Sequence, residues 1–493
     1  MNSELIPLMV VFPLISAILL NLMHGKDKAV RVYGSIAMLV VLAVPLITVY
    51  GPHLFGGHPV TDALPETQIA LPQINLAIEY SFGFLQRALI FLLAVIATFV
   101  VVSHTANEKK ASGVYLAMVM LSIAAVSAVV MANDIFNMFV FLEILTISQA
   151  AIVVAKGDIG GYKAALKYLI FGGVAGGSIL VGIALLLGTY GVLNISDLQA
   201  AIAGNTSNPV VLTAVGLLVI GWLFESGLFP FHTIKSHIYS SAKADVAALL
   251  QTETKLVLVA IAIILLRLFG GFSNMSAIMV GLSVITLAFG SVMALLQTDY
   301  RRLLAFSAVG QAGLVGIGLS LGTPDGVAAS IFHAVNDAIA MSLLFITVYV
   351  VYEGAKTTEF KRLGGLLSKA PRLAFLQIVG ILAVSGVPPF NAYQSEYRII
   401  DATIQAGFPE LGVLVILGTI ITFVALMKGF YLTFLAEENN VAALSRIQFS
   451  NALPVVTLAT MIVLAVVCLG IGVLPAPLYD RFADVAAAIT GAI

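Results

Sequence analysis

The sequence predicts an all-α polytopic membrane protein with about fourteen transmembrane helices. Three observations predict it. Of the 493 residues, 60% are hydrophobic and only 10% charged, against about 25% charged in ordinary soluble domains. Mean hydropathy is +1.06. The apolar residues come in long uninterrupted blocks rather than in a 3.6- or 2.0-residue period, and runs of ~18 or more apolar residues are long enough to cross a bilayer as helix. A soluble enzyme, a secreted disulfide scaffold and a disordered chain are excluded. The single cysteine, Cys468, excludes an intramolecular disulfide and any multi-cysteine metal or Fe–S site. A net charge of −1 without a basic tract argues against nucleic acid as a partner.

The first five spans run approximately Leu5–Met23, Val30–Tyr50, Phe84–Ser103, Gly113–Met131 and Ile135–Ala155. Met1 to Met23 lacks a charged n-region and an A-x-A cleavage site, so it is expected to remain as the first helix. The next five are Ala164–Gly188, Val210–Phe231, Ala244–Leu268, Met275–Gln297 and Leu303–Leu321. The last four are Ala328–Tyr352, Leu373–Ala402, Leu411–Ala436 and Leu453–Leu474. Gly51–Gly83 and Asn194–Pro209 are too polar to span; a small hairpin is expected in the first and a short helix begun by Ser196 in the second. The chain divides on this reading into residues 1–110 (helices one to three with their outer loop), 111–270, 271–437 and a C-terminal part, 438–493.

Orientation follows from Lys and Arg in short loops, which favour the inner face. Every loop from an odd to an even span is positive: Lys26, Lys28 and Arg31; Lys109 and Lys110; Lys156 and Lys163; Lys235 and Lys243; Arg301 and Arg302; Lys356, Lys361, Arg362, Lys369 and Arg372; and Arg446. The opposite loops carry little beyond Arg87, Arg267, Arg398 and Arg481. A multi-pass protein of the cell (plasma) membrane with both termini on the outer side is expected.

A charge at mid-helix in lipid costs about 2.5–3.5 kcal/mol on insertion scales and is tolerated facing a cavity or a partner charge. Glu143, Glu225, Lys255, His333, Asp337, Glu396 and Lys428 all lie inside spans. Arg87, Arg398 and Glu253 lie nearer span ends, where long side chains snorkel to the interface. For Glu143, Lys255 and Lys428 about two apolar turns flank each side, at 1.5 Å per residue, which leaves a cavity or a structural interhelical ion pair. His333 alone reads as a hydrogen-bonded buried histidine; with Asp337 one turn on, it reads as a proton relay, because imidazole exchanges protons near neutral pH. Tyr168, Tyr393 and Tyr431 read as interface or core aromatics.

Proline removes a backbone donor and clashes one turn back, and in lipid the freed groups must be satisfied by protein or cavity water. Pro230 interrupts span seven, and Pro388 and Pro389 interrupt span twelve. Glu225 precedes the first break and Glu396 follows the second; Lys255 and Lys428 occupy the following spans. Spans seven and twelve are five apart and therefore oppositely directed. An acid, a break and a lysine thus occur twice in opposite orientations, as two inverted five-helix repeats (spans four to eight and nine to thirteen) would produce. The glycine pairs Gly172–Gly173 and Gly176–Gly177 read as close helix packing.

Taken together, these residues resemble the antiporter-like subunits shared by respiratory complex I, Mrp-type Na+/H+ antiporters and membrane-bound hydrogenases of the formate hydrogenlyase type. The resemblance covers spans three to thirteen. It is carried by DYRRLLAFSAVGQAG at Asp299–Gly313, LFPFH at Leu228–His232, and LGGLLSKAPRLAF at Leu363–Phe375 with SGVPPFNAYQSE at Ser385–Glu396. Glu143 falls at the family's fifth-helix glutamate and Lys255 at its eighth-helix lysine. The chain departs from the family at Glu225, where a lysine is usual, and after His333, where Asp337 and Met341 stand in place of a second histidine and a lysine. Either Glu143 and Glu225 share one site that holds a proton or a cation, or a step of the usual path is lost. In the second case the subunit is structural or its route runs through Lys235 and His237, with His232 beside them.

The leading expectation is a proton- or Na+-translocating subunit of a redox-driven complex of the membrane-bound hydrogenase or complex I type. The expected route is a hydrated axis through Glu143, Glu225, Lys255, His333, Asp337, Glu396 and Lys428, opening near Pro230 and Pro388. An Mrp-type Na+/H+ antiporter subunit and a non-conducting scaffold are the alternatives. No redox site, metal-ligand cluster, P-loop or dinucleotide fingerprint is recognisable, so no cofactor is expected in this chain. The resemblance implies as partners other membrane subunits, including antiporter-like paralogues and small membrane subunits, with peripheral Fe–S or Ni–Fe subunits in the redox-driven case.

Overall fold

The computed structural model describes residues 6–23, 25–55, 66–70, 77–107, 112–155, 157–203, 205–270, 274–437 and 454–491. Lys109, Lys110, Lys156 and Arg446 of the loop-charge pattern lie outside them. Among the described residues twelve helices are long and apolar enough to cross a membrane, and Leu8–Leu22 and Pro371–Val384 are shorter apolar helices. The chain forms two compact units. One comprises Met1–Val101, Lys109–Ser226 and Leu256–Met275, the other Val102–Glu108, Gly227–Lys255 and Ser276–Ile493.

The first unit opens with α1 (Leu8–Leu22) and α2 (Asp27–Phe55). The expected hairpin follows: β1 (Glu66–Ala70) pairs antiparallel with β2 (Ala77–Ser81), Glu66 opposite Ser81. Then come α3 (Phe84–Asn107), α4 (Gly113–Met131), α5 (Ile135–Val154), α6 (Ile159–Tyr190), the short α7 (Ile195–Ile202) and α8 (Pro209–Ser226). Side-chain N-caps start four of these, since a short polar side chain satisfies a free first-turn N–H. Ser112 accepts from Tyr115 N, Asp134 from Asn137 N and Asp158 from Gly161 N. The fourth, Asn194, caps α7, so that Ser196 is its second residue rather than its start. α4 is buried over most of its surface, packed between α1 and α5. α6 lies along both α5 and α8. A polar lock joins the hairpin to the α4–α5 turn: Glu79 accepts from Asn133 Nδ2 and Asn194 Nδ2, while Arg267 donates to Asn133 Oδ1 and Ser196 Oγ.

The second unit contains α9 (His232–Ser241), the first half of α10 (Ala244–Phe269, shared with the first unit from Leu256), α11 (Met275–Leu296), α12 (Tyr300–Ser320) and α13 (Pro324–Ala355). It continues with α14 (Leu366–Lys369), α15 (Pro371–Val384), α16 (Asn391–Gln405), α17 (Pro409–Phe430, prolonged by a π turn at Tyr431–Leu435), α18 (Val455–Val473) and α19 (Ala476–Thr490). α13 is strongly apolar and buried along its whole spanning window, as a helix enclosed by others must be. α12, α15, α16, α18 and α19 pack around it. His333 and Asp337 therefore sit on the central post of this unit. The fourteen spans expected from hydropathy include no counterpart of α19; it docks on α13 through Phe482 and Ala486, and the Arg398 guanidinium lies 4.2 Å from the Tyr479 ring.

Candidate functional site

The structure breaks the chain where the prolines predict. α8 ends at Ser226 and α9 begins at His232; α15 ends at Val384 and α16 begins at Asn391. Both breaks carry the same register, Ser-Gly-x-x-Pro-Phe, at Ser226–Phe231 and Ser385–Phe390. The X–Pro bonds at Phe229–Pro230 and Pro388–Pro389 are both cis. Gly227 and Gly386 have φ +69° and +62°, a left-handed conformation that glycine adopts without steric cost. Val387 N donates to Leu382 O at 3.2 Å, closing α15 in a Schellman turn. At the other break the Phe229 N–H is satisfied by Thr286 Oγ1 of α11 at 2.8 Å. Five residues after each Phe comes a serine followed by a protonatable side chain: Ser236–His237 and Ser395–Glu396. Glu396 is buried, and its carboxylate lies against Gly386, where a Cβ would overlap it.

In the second unit Lys255 of α10 forms a buried ion pair with Asp337 of α13, both 1% exposed. Lys255 Nζ also donates to Gln251 Oε1, and Gln251 Nε2 is anchored on Ala338 O and Ser342 Oγ, each at 3.2 Å. One turn before Asp337, His333 is held at both ring nitrogens, by Gln311 Oε1 and Ser395 Oγ at 2.9 Å each. Asn336 Nδ2 donates to Ser395 Oγ and to Asn391 O at 3.2 Å, and Asn391 Nδ2 returns a bond to Asn336 O at 3.0 Å. Lys255 of α10 thus meets Asp337 of α13, His333 lies one turn before Asp337, and Ser395, the residue preceding Glu396, ties His333 to α16.

The first unit holds a second polar group. Thr146 of α5, one turn from Glu143, donates to Glu225 Oε1 of α8 at 2.9 Å. Glu143 is half-buried with its carboxylate against Gly176 of α6, which has no room for a Cβ. Tyr168 is fully buried and donates to Gln149 Oε1 at 2.8 Å, its ring 5.2 Å from that of Phe224. Within each expected glycine pair one member makes the close approach: Gly172 meets Thr146 and Gly176 meets Glu143, while Gly173 and Gly177 face open space.

Lys428 lies apart from these groups. Its Nζ donates to Leu295 O and Gln297 O at 2.7 and 3.0 Å, capping the carbonyl end of α11 from the last turn of α17. His232 and Lys235 are buried and His237 half-buried. The His232 ring sits between Phe229 and Phe289, at 5.4 and 4.4 Å. Arg87 and Glu253, expected to reach the interface, are buried: Arg87 Nε donates to Gly83 O at 3.2 Å, and Glu253 is fully enclosed. Gln251, Gln311, Ser395, Thr146 and Gln149 do not stand out in the sequence, because neutral polar residues in apolar helices give no signal until their partners are seen. Among the described residues no cluster of three His, Cys, Asp or Glu is placed to hold a metal ion.

Broken helices around buried acids and a buried lysine define an antiporter-like membrane protein. Residues 132–422 match the family described as NADH:quinone oxidoreductase/Mrp antiporter, TM, and the chain belongs to that family. An uncharacterized protein of Methanocaldococcus jannaschii is 39% identical over 473 residues, covering 95% of each chain. An NADH-quinone oxidoreductase subunit of Ruthia magnifica is 31% identical over 312 residues, covering 61% of this chain and 64% of the relative. A subunit of the Na+/H+ antiporter of Bacillus subtilis is 24% identical over 444 residues, covering 89% and 88%. A chain of the Mrp complex of a Dietzia species shares the fold with a TM-score of 0.89 at 21% identity over 99% of this chain and 97% of that one. A chain of an archaeal membrane-bound sulfane sulfur reductase does so with 0.88 at 24% identity over 98% and 97%.

Proposed function

We propose that the chain translocates protons, or Na+, across the plasma membrane as one subunit of a multisubunit redox-driven complex of the membrane-bound hydrogenase or complex I type. The observation that carries this reading is the Lys255–Asp337 ion pair, enclosed at mid-helix and one turn from a histidine bonded at both nitrogens. Charges held in low dielectric set one another's protonation, so moving a proton at one member changes the affinity of the next. The proposed route takes in Glu143 and Glu225, the latter bonded to Thr146, together with Lys255, Asp337, His333, Glu396 and Lys428. His237, in register with Glu396 across the two breaks, is the candidate entry group beside Pro230. The shared register of the breaks supports the inverted-repeat reading. The termini lie outside on the loop-charge argument. Partners are other membrane subunits, including antiporter-like paralogues, with peripheral Fe–S or Ni–Fe subunits supplying the driving reaction.

Glu225 favours a second reading. A carboxylate replaces the lysine implied by the family resemblance and accepts from Thr146 one turn from Glu143. If Glu143 and Glu225 share one site, two acids with a hydroxyl suit a hydrated Na+ as well as a shared proton, as an Mrp-type exchanger would require. Both readings are tested in vesicles containing the intact complex. Glu143→Gln and Lys255→Ala are expected to abolish ion movement, and Na+-dependent against Na+-independent ΔpH separates the two ions. Full transport by both variants would leave the subunit as a scaffold.

A further inference from the structure

A groove of about 760 Å³ runs between α15 and α18. Its walls include Phe375, Val379, Phe390, Ile462 and Leu469, and Arg372 stands at one end. Two features of this groove go together. The first is charge. Arg372 follows Pro371 in the first turn of α15, where free N–H groups and the helix dipole already favour an anion. Its side chain is exposed, and among the described residues it forms no ion pair. Lys369 adds a second positive charge at the same end. The second feature is length. The α18 wall runs from Leu458 to Leu469, a rise of about 16 Å at 1.5 Å per residue. Half the hydrocarbon core is about 15 Å. The groove is therefore about one leaflet deep and matched in length to a single lipid chain. It ends at Phe390, the last residue of the second break. There Gly472 of α18 is packed on the backbone of Pro389 and Phe390, and Gln394 Nε2 donates to Gly472 O at 3.0 Å.

We propose that this groove is a binding site for an anionic membrane phospholipid, its phosphate on Arg372 and the α15 N-terminus and one hydrocarbon chain laid along α15 and α18 as far as the break. The basic end is the end of the positively charged Lys356–Arg372 loop, where anionic headgroups meet juxtamembrane cations. The site does not depend on the ion-translocation reading, because its readout is lipid retention.

The test is native mass spectrometry of the detergent-purified intact complex with added dioleoyl-phosphatidylglycerol or dioleoyl-phosphatidylcholine. Wild type is expected to retain the anionic lipid roughly fivefold more, the contribution of one arginine at a lipid surface. Arg372→Gln is expected to remove that preference and keep the weaker retention of the zwitterionic lipid. Ala465→Phe, which fills the trough and leaves Arg372 in place, is expected to reduce both. Equal retention of the two lipids by wild type, a preference that survives Arg372→Gln, or undiminished binding to Ala465→Phe overturns the proposal. So does recovery of an isoprenoid quinone, or a cross-link to another subunit, at Phe375→Cys.

Discussion

Replacing Asp337 by alanine strands the Lys255 ammonium in a site where it is 1% exposed and, among the described residues, leaves it the neutral Gln251 as partner. Removing one member of a buried pair costs about 3–5 kcal/mol, because the remaining charge is left without compensation. Asp337→Ala should therefore be markedly destabilised in thermal unfolding of the purified complex. The double variant Lys255→Met/Asp337→Leu removes both charges and fills similar volume. Such replacements are typically neutral or stabilising by about 1–4 kcal/mol, so its unfolding temperature should return to that of wild type or exceed it. Its ion transport in proteoliposomes should nevertheless remain abolished. Stability and transport then part company, and the pair is retained for conduction rather than for holding α10 to α13. An Asp337→Ala variant as stable as wild type, or a double variant that still transports, would refute the reasoning.

Gly176→Ala places a Cβ on the Glu143 carboxylate, whereas Gly177→Ala meets nothing. The carboxylate is the end of a flexible, half-buried side chain that can swing aside, so Gly176→Ala should cost little stability and impair transport, with Gly177→Ala as the control that keeps transport. Gly386→Ala combines φ +62° with overlap of the Glu396 carboxylate; the left-handed backbone alone costs about 1–2 kcal/mol. Gly407→Ala, with positive φ in open space, should lose only that strain energy and keep transport. Burial raises the Asp134 carboxyl above the usual carboxylate range, partly offset by the N–H groups of Asn137 and Phe136. The folded protein therefore takes up this proton at higher pH than the unfolded chain. The resulting stabilisation is complete below the unfolded carboxylate value near ~3.9 and fades as pH rises through the folded one. Asp134→Asn should keep the cap and flatten the acid limb of the unfolding-temperature profile, while Asp134→Ala should lose about 1 kcal/mol of capping.

The breaks were legible because proline and glycine act locally: Pro230, Pro388 and Pro389 interrupt their helices in any tertiary setting. The acids and lysines were legible because charge in an apolar run is costly wherever it lies. Burial of a particular charge was not, since it depends on which neighbours surround it. Glu253 and Arg87, near the ends of apolar runs, read as interfacial, and both are enclosed by packing that the run lengths do not encode. Lys428 has apolar turns on either side and reads as mid-membrane. It stands in the last turn of α17, where its Nζ reaches the carbonyl end of α11, a contact that run length does not encode. The neutral partners were the least legible. Gln311 and Ser395 hold His333, and Gln251 braces Lys255, yet each is an ordinary polar residue in an apolar helix. Their contribution exists only as geometry, in a bond between helices far apart in the chain. The identical register of the two breaks connects the legible and the illegible parts. It places Ser395 and Ser236 at matching positions, each bonded back to the carbonyl three residues earlier. In the second break that serine is also the support of His333. The second break is therefore an opening in the helix and also the means by which a side chain from the following segment is brought to the central post, α13, that carries His333 and Asp337.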